Sequence, residues 1–441
     1  MIFIVYLFQP MNYTETLDYM FRLLPMYHRI GAAAYKADLN NTLALCKHLG
    51  NPETKFKSIH IAGTNGKGSS SHMTAAILQT AGYKTGLYTS PHLKDFRERI
   101  KINGQEIPEN FVVDFIANNK EFIETIQPSF FELTVGMAFL YFANSNIDIA
   151  VVEVGLGGRL DSTNVILPEA CLITSISYDH QNLLGDTLPQ IASEKAGIIK
   201  PNTPVSISQT QFDVAQVFVE KADQCQAQIT FADKNYWLDF HVTSDNGMFD
   251  IYKNEELFLR NVLCELKGDY QPKNIRGVLQ LIESIPHYCI EKTHIKTGLA
   301  SVCKLTGFKG RWQILQQNPF IVCDIGHNED GIKQVVKQIT KQMTTKNHEK
   351  LHIVFGAVND KSIDKMLSQL PKNATYYFCT PNIPRGLAAK ELQTQAQNYD
   401  LQGNIYDSVA VAIATAKQQA SAKDMIFIGG STFVVAEIEE L

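Results

Sequence analysis

A glycine-rich segment between a strand-like run and a helical pattern constrains this chain more than any other feature. The segment reads Ala62-Gly63-Thr64-Asn65-Gly66-Lys67-Gly68-Ser69, follows the apolar run at 58–62 and leads into helical spacing over 68–81. Glycines allow backbone N–H groups to turn inward around phosphate oxygens, and the N-terminus of the following helix adds partial positive charge. The common pattern GxxxxGK[ST] is not matched, because only two residues separate the first two glycines. The flanking strand and helix still favour a phosphate-binding loop, with Lys67 on the β- and γ-phosphates, over a plain turn with a solvated lysine.

Strand-like and helix-like patterns alternate on both sides of this loop. The runs at 147–152 and 170–176 are predominantly apolar, which is typical of strands covered on both faces of a parallel sheet. A second alternating series begins near residue 311, whereas 228–268 read as a small antiparallel addition. We therefore predict an α/β protein of two α/β domains. The first, 1–297, is a P-loop ATPase domain with a mostly parallel sheet plus the antiparallel addition, and the second, 298–441, is smaller and Rossmann-like.

Composition excludes several classes of protein. The 441 residues are about three times a typical domain, and 45% apolar against 19% charged residues supply ample cores. A balance of 40 Lys and Arg against 45 Asp and Glu argues against a general nucleic-acid or membrane-surface binder, but not against a small basic pocket. Eight cysteines, no two within ten residues of each other, form no zinc-finger or disulfide pattern and suit a reducing cytosol.

The N-terminal residues MIFIVYLFQP begin like a signal peptide but carry no Lys or Arg. Met11 opens an amphipathic helical pattern and is taken as the native start, so that residues 1–10 are not native. We expect the protein to be cytoplasmic.

Polar side chains follow several of the predicted strands. Glu153 closes one apolar strand and His180 follows the next, and a carboxylate in such a position is costly unless it is paired or binds a metal. In the second domain Arg311 opens a strand, and Asp324-Ile325-Gly326-His327-Asn328 occupies the strand-to-helix turn, where α/β sheets bind ligands. These features predict a cleft between two domains that closes across ATP. Lys195, at the end of a helix with a glycine cap, is by itself interpreted as a surface or ion-pair lysine.

Several motifs occur in one order along the chain. They are AGTNGKGS, SPHL, EVGLGGRLDSTN, SYDH, EKAGIIK, GRWQIL, DIGHN and GGSTFVVAE. Together they closely resemble the folylpolyglutamate synthase/dihydrofolate synthase family, which belongs with the Mur ligases. The resemblance runs from about residue 14 to the C-terminus. Its departures are small: DIGHN stands where DGAHN or DVAHN is commoner, Tyr270 where many relatives have His, and the loop near Lys36 to Thr42 aligns poorly.

The resemblance implies ATP-dependent amide formation, through an acyl phosphate, between a pteroate or folate carboxylate and L-glutamate. It implies ATP contacts from Thr64, Asn65, Gly66, Lys67, Gly68, Ser69, Asn274, Arg311, Asp324 and His327. It implies Mg²⁺, at two sites, on Ser90, Glu153, His180 and Lys195, the last converted to a carbamate. It implies a pterin site lined by Ser129, Phe130, Phe131, Glu132, Leu160, Asp161 and Ser162. Lys67, Lys195 and His180 are the expected catalytic residues.

Two rival functions remain open at this point. A Mur-type ligase of cell-wall precursors generally carries an additional N-terminal domain, but only about 57 residues precede the loop and its strand. A P-loop NTPase or kinase without amide formation has no use for the polar turn of the second domain. The expected partners are ATP, glutamate and dihydropteroate or a reduced folate, with no nucleic acid and no membrane, and the protein is expected to be a monomer. The sequence leaves open which of these acids is accepted.

Overall fold

The structure is a computed structural model that describes residues 11–25, 36, 38–241, 247–359 and 363–441. The predicted non-native residues 1–10 therefore lie outside the described residues. None of the described helices is long and apolar enough to cross a membrane.

The first sheet is mostly parallel and has eight strands. These are β1 Ser58–Ala62, β2 Thr85–Tyr88, β3 Ile100–Ile102, β4 Gln105–Glu106, β5 Ile149–Glu153, β6 Ala170–Ile173, β7 Val205–Ile207 and β8 Ile229–Phe231. Their order is β4-β3-β2-β5-β1-β6-β7-β8, with only β3 and β4 antiparallel to their neighbours. Every residue of β1, β5 and β6 is buried, which explains why these strands are rich in apolar residues.

Helices cover both faces of this sheet. Those of the first domain are α1 Tyr13–Leu23, α2 Asn40–His48, α3 Lys67–Thr80, α4 Glu109–Ile126, α5 Phe130–Asn144, α6 Gln181–Leu184, α7 Leu188–Ala196, α8 Ala215–Gln224, α9 Ala232–Asn235, α10 Gln271–Glu283, α11 Lys292–Ala300 and α12 Val302–Thr306. Helices α3, α10 and α11 share one core with β1 and with a three-stranded antiparallel sheet. That sheet consists of β9 Tyr236–Phe240, β10 Phe249–Lys253 and β11 Glu256–Val262, and it is the predicted antiparallel addition.

The second domain contains a six-stranded sheet. Its strands are β12 Gln313–Gln316, β13 Phe320–Asp324, β14 Leu351–Phe355, β15 Thr375–Cys379, β16 Gly403–Tyr406 and β17 Met425–Gly429, and its helices are α13 Glu329–Thr345, α14 Ile363–Leu367, α15 Ala389–Gln397, α16 Val409–Gln419 and α17 Thr432–Ala436. The strand order is β12-β13-β17-β14-β15-β16, and all pairs except β12–β13 are parallel. The predicted fold class, two α/β domains of unequal size, is confirmed.

The predicted domain boundary at 297/298 lies inside α11. This helix packs so closely on α3 that a Cβ added at Gly298 would be 2.7 Å from the Cα of Ile77. Thr306, which ends α12, is held by the first domain as well: its side chain contacts His72 Nδ1 at 2.7 Å, and its carbonyl accepts a hydrogen bond from Lys101 at 3.0 Å. We therefore propose that the first domain extends to Thr306.

Candidate active site

A cavity of about 340 Å³ is lined by residues of both domains. Every residue that the sequence assigned to ATP, metal or pterin lines it: Thr64, Asn65, Gly66, Lys67, Gly68, Ser69, Ser90, Ser129, Phe130, Phe131, Glu132, Glu153, Leu160, Asp161, Ser162, His180, Lys195, Asn274, Arg311, Asp324 and His327. The structure thus brings together residues that lie more than two hundred positions apart in the chain. Their individual roles stay predictions.

The glycine-rich loop joins β1 to α3 and leaves the N-terminus of that helix without a side-chain cap. Gly66 precedes the helix with φ +99°, and a Cβ at this position would be 2.2 Å from the Asn274 Oδ1. Only glycine satisfies both the backbone conformation and the close approach. Lys67 begins the helix, and its ammonium donates hydrogen bonds to the carbonyls of Gly63 at 3.1 Å and Thr64 at 3.3 Å. Backbone N–H groups and a lysine therefore converge on one small region, as phosphate binding requires.

Side chains of α10 form hydrogen bonds with the start of α3 and with each other. Gln271 donates a hydrogen bond to the Ser69 hydroxyl at 3.2 Å, and Asn274 donates to Gln271 Oε1 at 2.8 Å. Both amides are buried. Gln271 and Asn274 thus form a hydrogen-bonded pair between α10 and α3, and Asn274 also lines the cavity.

The second domain is attached to the loop by Asn65 and Asn328. Asn65 donates to Asn328 Oδ1 at 3.2 Å and to Asp330 Oδ2 at 3.3 Å, and Asn328 donates back to Asn65 Oδ1 at 3.0 Å. Asn328 also donates to Asp179 Oδ2 at 3.2 Å. A loop residue predicted to bind ATP therefore also carries contacts between the domains.

Asp324, another predicted ATP contact, organises the backbone of the second domain. Its Oδ2 accepts hydrogen bonds from the Tyr270 hydroxyl at 2.5 Å and the Trp312 N–H at 2.8 Å, and its Oδ1 accepts from Gly326 N–H at 2.8 Å. Tyr270, which stands where many relatives have His, thus joins α10 to the second domain. Burial raises the pKa of Tyr270 well above its ordinary value, and the negative charge of Asp324 adds to this.

Glu153 ends β5 and is only 4% exposed. Burial raises the pKa of its carboxyl to about 7, against the opposing effects of Lys67 and of the Ser90 N–H, which donates to Oε2 at 3.2 Å. A buried carboxylate of this kind is stabilised by a cation. The described part of the chain contains no group of three or more His, Cys, Asp or Glu side chains that could hold a metal ion. A two-metal site would therefore need the oxygens of Ser90 and of a carbamylated Lys195 beside Glu153 and His180.

Lys195 lies in the last turn of α7 and is only 4% exposed, so its interpretation as a surface lysine is wrong. Burial and, after it, the charge of Lys67 lower the pKa of its amine to about 7. The loop carrying Gly158 and Arg159 packs on this turn, and a Cβ at Gly197 would be 2.4 Å from Arg159 Cα. Gly197 caps α7 as predicted, but with φ −60°, so it is needed for this close packing and not for a left-handed conformation.

His180 immediately precedes the short helix α6 and has φ +50°. Its Nε2 lies 3.7 Å from Asp179 Oδ1, and His327 Nε2 lies 3.7 Å from Asp179 Oδ2. Asp179 thus stands between two imidazoles at the junction of the domains. The strand-end pattern points to Asp179 together with its neighbour His180, but only His180 was assigned a role.

The two aromatic residues that line the cavity, Phe130 and Phe131, lie in different environments. Phe130 packs against Phe21 and Phe96, with ring centroids 5.6 and 5.9 Å away, and the Arg99 guanidinium lies 5.3 Å from its ring centroid. One face of Phe130 is therefore already occupied. Phe131 is only partly buried and closely approaches the backbone of Gly155. Arg99, a buried cation at the cavity, was missed because no local pattern distinguishes it from a surface arginine.

Ser129 and Glu132 form the capping box of α5. Ser129 Oγ accepts from the Glu132 N–H at 3.2 Å, and Glu132 Oε2 accepts from the Ser129 N–H at 2.6 Å. The second carboxylate oxygen, Oε1, is buried and has no hydrogen-bond partner among the described residues. Both residues thus build the helix start, and Glu132 also lines the cavity.

An uncapped phosphate loop that faces polar strand ends of a second α/β domain defines a two-domain ATP-dependent ligase. The protein-family model described as "Mur ligase middle domain" matches residues 61–281, and the model described as "Mur ligase, glutamate ligase domain" matches residues 310–432. The chain is 30% identical to the dihydrofolate synthase/folylpolyglutamate synthase of Bacillus subtilis (strain 168) over 420 residues, 92% of this chain and 95% of that protein. It belongs to the dihydrofolate synthase/folylpolyglutamate synthase family of Mur ligases.

Other relatives and solved structures agree with this assignment. The folylpolyglutamate synthase of Lacticaseibacillus casei is 30% identical over 442 residues, 98% of each chain. The structure of Escherichia coli FolC in complex with DHPP and ADP has a TM-score of 0.85 at 26% identity and covers 98% of this chain and 97% of that one. The Yersinia pestis bifunctional enzyme complexed with AMPPNP and Mn ion has a TM-score of 0.82 at 25% identity, with 97% of each chain covered. The predicted class, an ATP-dependent ligase that forms an amide with glutamate, is confirmed, and ATP is its co-substrate.

Proposed function

We propose that this chain joins L-glutamate to the carboxylate of a pteroate or folate, as dihydrofolate synthase, as folylpolyglutamate synthase or as both. The observation that carries the proposal is one cavity lined by the phosphate loop and Arg311 and also by Phe131, Glu132 and Asp161. Flat heterocycles with N–H donors suit the latter three residues, because an aromatic ring offers a stacking face and carboxylates accept hydrogen bonds. The names of the relatives, and DHPP beside ADP in the FolC complex, support the same substrate class.

The reaction follows from the chemistry of a carboxylate, which is a poor electrophile at neutral pH. One carboxylate oxygen attacks the γ-phosphorus of ATP, so that an acyl phosphate forms and ADP leaves. Lys67 and Arg311 stabilise the negative charge that develops on the transferring group. The glutamate amine then attacks the acyl carbon, the tetrahedral intermediate expels inorganic phosphate, and the nitrogen loses a proton. The contacts between Asn65 and Asn328 hold the domains together and limit hydrolysis of the acyl phosphate by water.

The residues at the metal position fit Mg²⁺, because Glu153 is a buried carboxylate beside the phosphate loop and Mg²⁺ prefers oxygen ligands. Ser90, Glu153 and His180 would hold one ion, and a carbamate on Lys195 would contribute to a second. Bound there, Mg²⁺ would neutralise charge on the phosphates. The lowered pKa of Lys195 supports the carbamate, since only a neutral amine combines with CO₂.

The test of the proposed function supplies purified protein with ATP, Mg²⁺ and labelled glutamate, and offers dihydropteroate and tetrahydrofolate separately. ADP release and labelled product should both require one of these acids and glutamate together. ADP release without acid or glutamate would indicate an NTPase. With a nucleotide-sugar acid offered as a third acceptor, incorporation only into that acid would indicate a cell-wall ligase. Either result would overturn the proposal. A monomeric state and a cytoplasmic location are proposed with it.

The carbamate is tested at Lys195 itself. Lys195→Arg should lose activity, because a guanidinium is not carbamylated and keeps a positive charge. Lys195→Ala should also lose activity, and acetate should partly restore it by occupying the vacated ligand position. Lys200→Arg is the matched control, since Lys200 donates a hydrogen bond to the Asn164 carbonyl and a guanidinium can do the same. Near-normal turnover of Lys195→Arg would contradict the carbamate.

A further inference from the structure

A buried histidine in the central strand has no part in the nucleotide or metal chemistry. His60 is the third residue of β1, is fully buried, and lies in register with Val152 of β5 and Cys171 of β6. Its neighbours Ile59 and Ile61 join the core on the α3 side, so His60 points to the opposite face of the sheet. Burial lowers the pKa of His60 to about 3, and the charge of Lys200 acts in the same direction, so the ring is neutral. A neutral imidazole among apolar strands needs a polar partner.

That partner is Thr163, and it connects the ring to the cavity. His60 Nε2 lies 2.8 Å from Thr163 Oγ1, and Thr163 Oγ1 is hydrogen-bonded to Asp161 Oδ1. An ionised carboxylate only accepts, so the single hydroxyl proton of Thr163 goes to Asp161 and His60 donates its Nε2–H to the hydroxyl oxygen. The His60 Nδ1 is then a bare lone pair, which agrees with its having no hydrogen-bond partner among the described residues.

Two backbone N–H groups complete the surroundings of this carboxylate. The Thr163 N–H donates to Asp161 Oδ1 at 3.0 Å, and the Leu156 N–H donates to Oδ2 at 2.8 Å. Burial raises the pKa of Asp161, whereas these three donors and the charge of Lys67 lower it and favour the ionised carboxylate. Oδ1 thus holds two protein donors and Oδ2 holds one, so the remaining acceptor capacity is on Oδ2. Asp161 is 4% exposed and lines the cavity.

We propose that His60 and Thr163 are positioning residues, which hold the Asp161 carboxylate so that it accepts a hydrogen bond from a ring N–H or amino group of the acid substrate. The proposal rests on the proposed function, because it concerns the heterocyclic end of that acid. The polarised chain from imidazole to hydroxyl to carboxylate fixes the rotation of the Asp161 side chain and strengthens its bonds. Neither His60 nor Thr163 needs to touch the substrate.

The first experiment compares His60→Leu with His60→Gln. Leucine removes the donor, whereas the glutamine amide N–H can replace Nε2–H. His60→Leu should raise the KM and the calorimetric Kd for dihydropteroate about tenfold or more, the range for hydrogen bonds to a charged group. The KM for ATP should stay within about twofold and kcat should change little, since the phosphate loop is untouched, while His60→Gln should recover most of the affinity. An unchanged KM for the acid, or an equal rise in the KM for ATP, would overturn the proposal.

A second pair protects the test against misfolding of a strand variant. Thr163→Val keeps the shape but removes the hydroxyl, and Thr163→Ser keeps the hydroxyl. The valine variant should show the same selective loss of acid affinity and the serine variant should not. Equal affinities in the two would overturn the proposed relay, that is, the hydrogen-bonded chain from His60 through Thr163 to Asp161. Wild-type protein that fails to use either pteroate or folate would overturn the proposed function and the relay with it. Active wild-type protein with unaffected variants would overturn the relay alone.

Discussion

Helices α3 and α13 each follow a buried parallel strand and begin at the same cavity, but their N-termini differ. The α3 N-terminus follows Gly66, has no side-chain cap and has no acidic residue in its first turn. The α13 N-terminus is capped by Asn328, whose Oδ1 accepts from the Gly331 N–H at 2.8 Å, and its first turn contains Glu329 and Asp330. An anion is attracted to unpaired N–H groups and repelled by carboxylates. This difference explains why phosphate is expected at the N-terminus of α3, whereas α13 contributes side chains that face the phosphate site.

The largest expected effect comes from the lysine at the open N-terminus. Lys67→Ala removes the cation that neighbours the phosphate-binding N–H groups, and removal of such an electrostatic contact typically costs on the order of a hundredfold or more in kcat. Lys337→Ala, on the exposed face of α13, is the matched control and should keep wild-type turnover. The measurement for both variants is glutamate incorporation that depends on ATP and on the pteroate or folate substrate. Normal activity of Lys67→Ala would mean that the comparison between the two helices does not explain phosphate binding.

The open N-terminus of α3 could be predicted from the sequence because its signal is local. Glycine spacing, one lysine and a strand before a helix all lie within residues 58–81. Polar residues at strand ends indicated Glu153, His180, Arg311 and the turn that begins at Asp324, and the resemblance to a family supplied the other site residues, including Asp161 and Lys195. The burial of Lys195 could not be predicted locally, because it depends on the loop with Gly158 packing on α7.

Contacts between distant parts of the chain were also beyond local patterns. Asn65 and Asn328 are 263 residues apart, and each is an ordinary turn residue until the domains meet. Arg99 reads as a surface residue because its burial depends on Phe130 and on His92, which accepts from its Nε at 2.7 Å. The proposal that the first domain extends to Thr306 rests on contacts of the same kind, because α11 and α12 pack on α3. Such pairings arise from the tertiary fold rather than from hydrophobic period or turn residues.

A pair of glycine substitutions sharpens the comparison at the two turns. Gly66→Ala should lower kcat/KM for ATP by about tenfold or more, because a positive φ costs on the order of 1–3 kcal/mol and the new methyl group would meet Asn274. Gly326→Ala should stay near the wild-type value. Its φ lies outside the left-handed region, and the nearest atoms, at 3.2 and 3.3 Å, belong to the side chains of Asp324 and Val335. Steady-state kinetics with a melting curve for each variant provide the measurement, and equal losses in the two would contradict the distinction.

The smallest expected effect concerns the closed N-terminus of α13. Asn328→Ala removes the cap, which typically costs about 1 kcal/mol of unfolding free energy, and also removes the contacts with Asn65 and Asp179. Asn328→Ser keeps an acceptor for the Gly331 N–H and should recover most of the cap but not those contacts. Urea unfolding of the three proteins measures the stabilities, and calorimetry should still find one ADP per chain, because Glu329 and Asp330 continue to repel an anion. If opening the cap produced a second ADP site, the acidic first turn would not be what keeps phosphate away from α13.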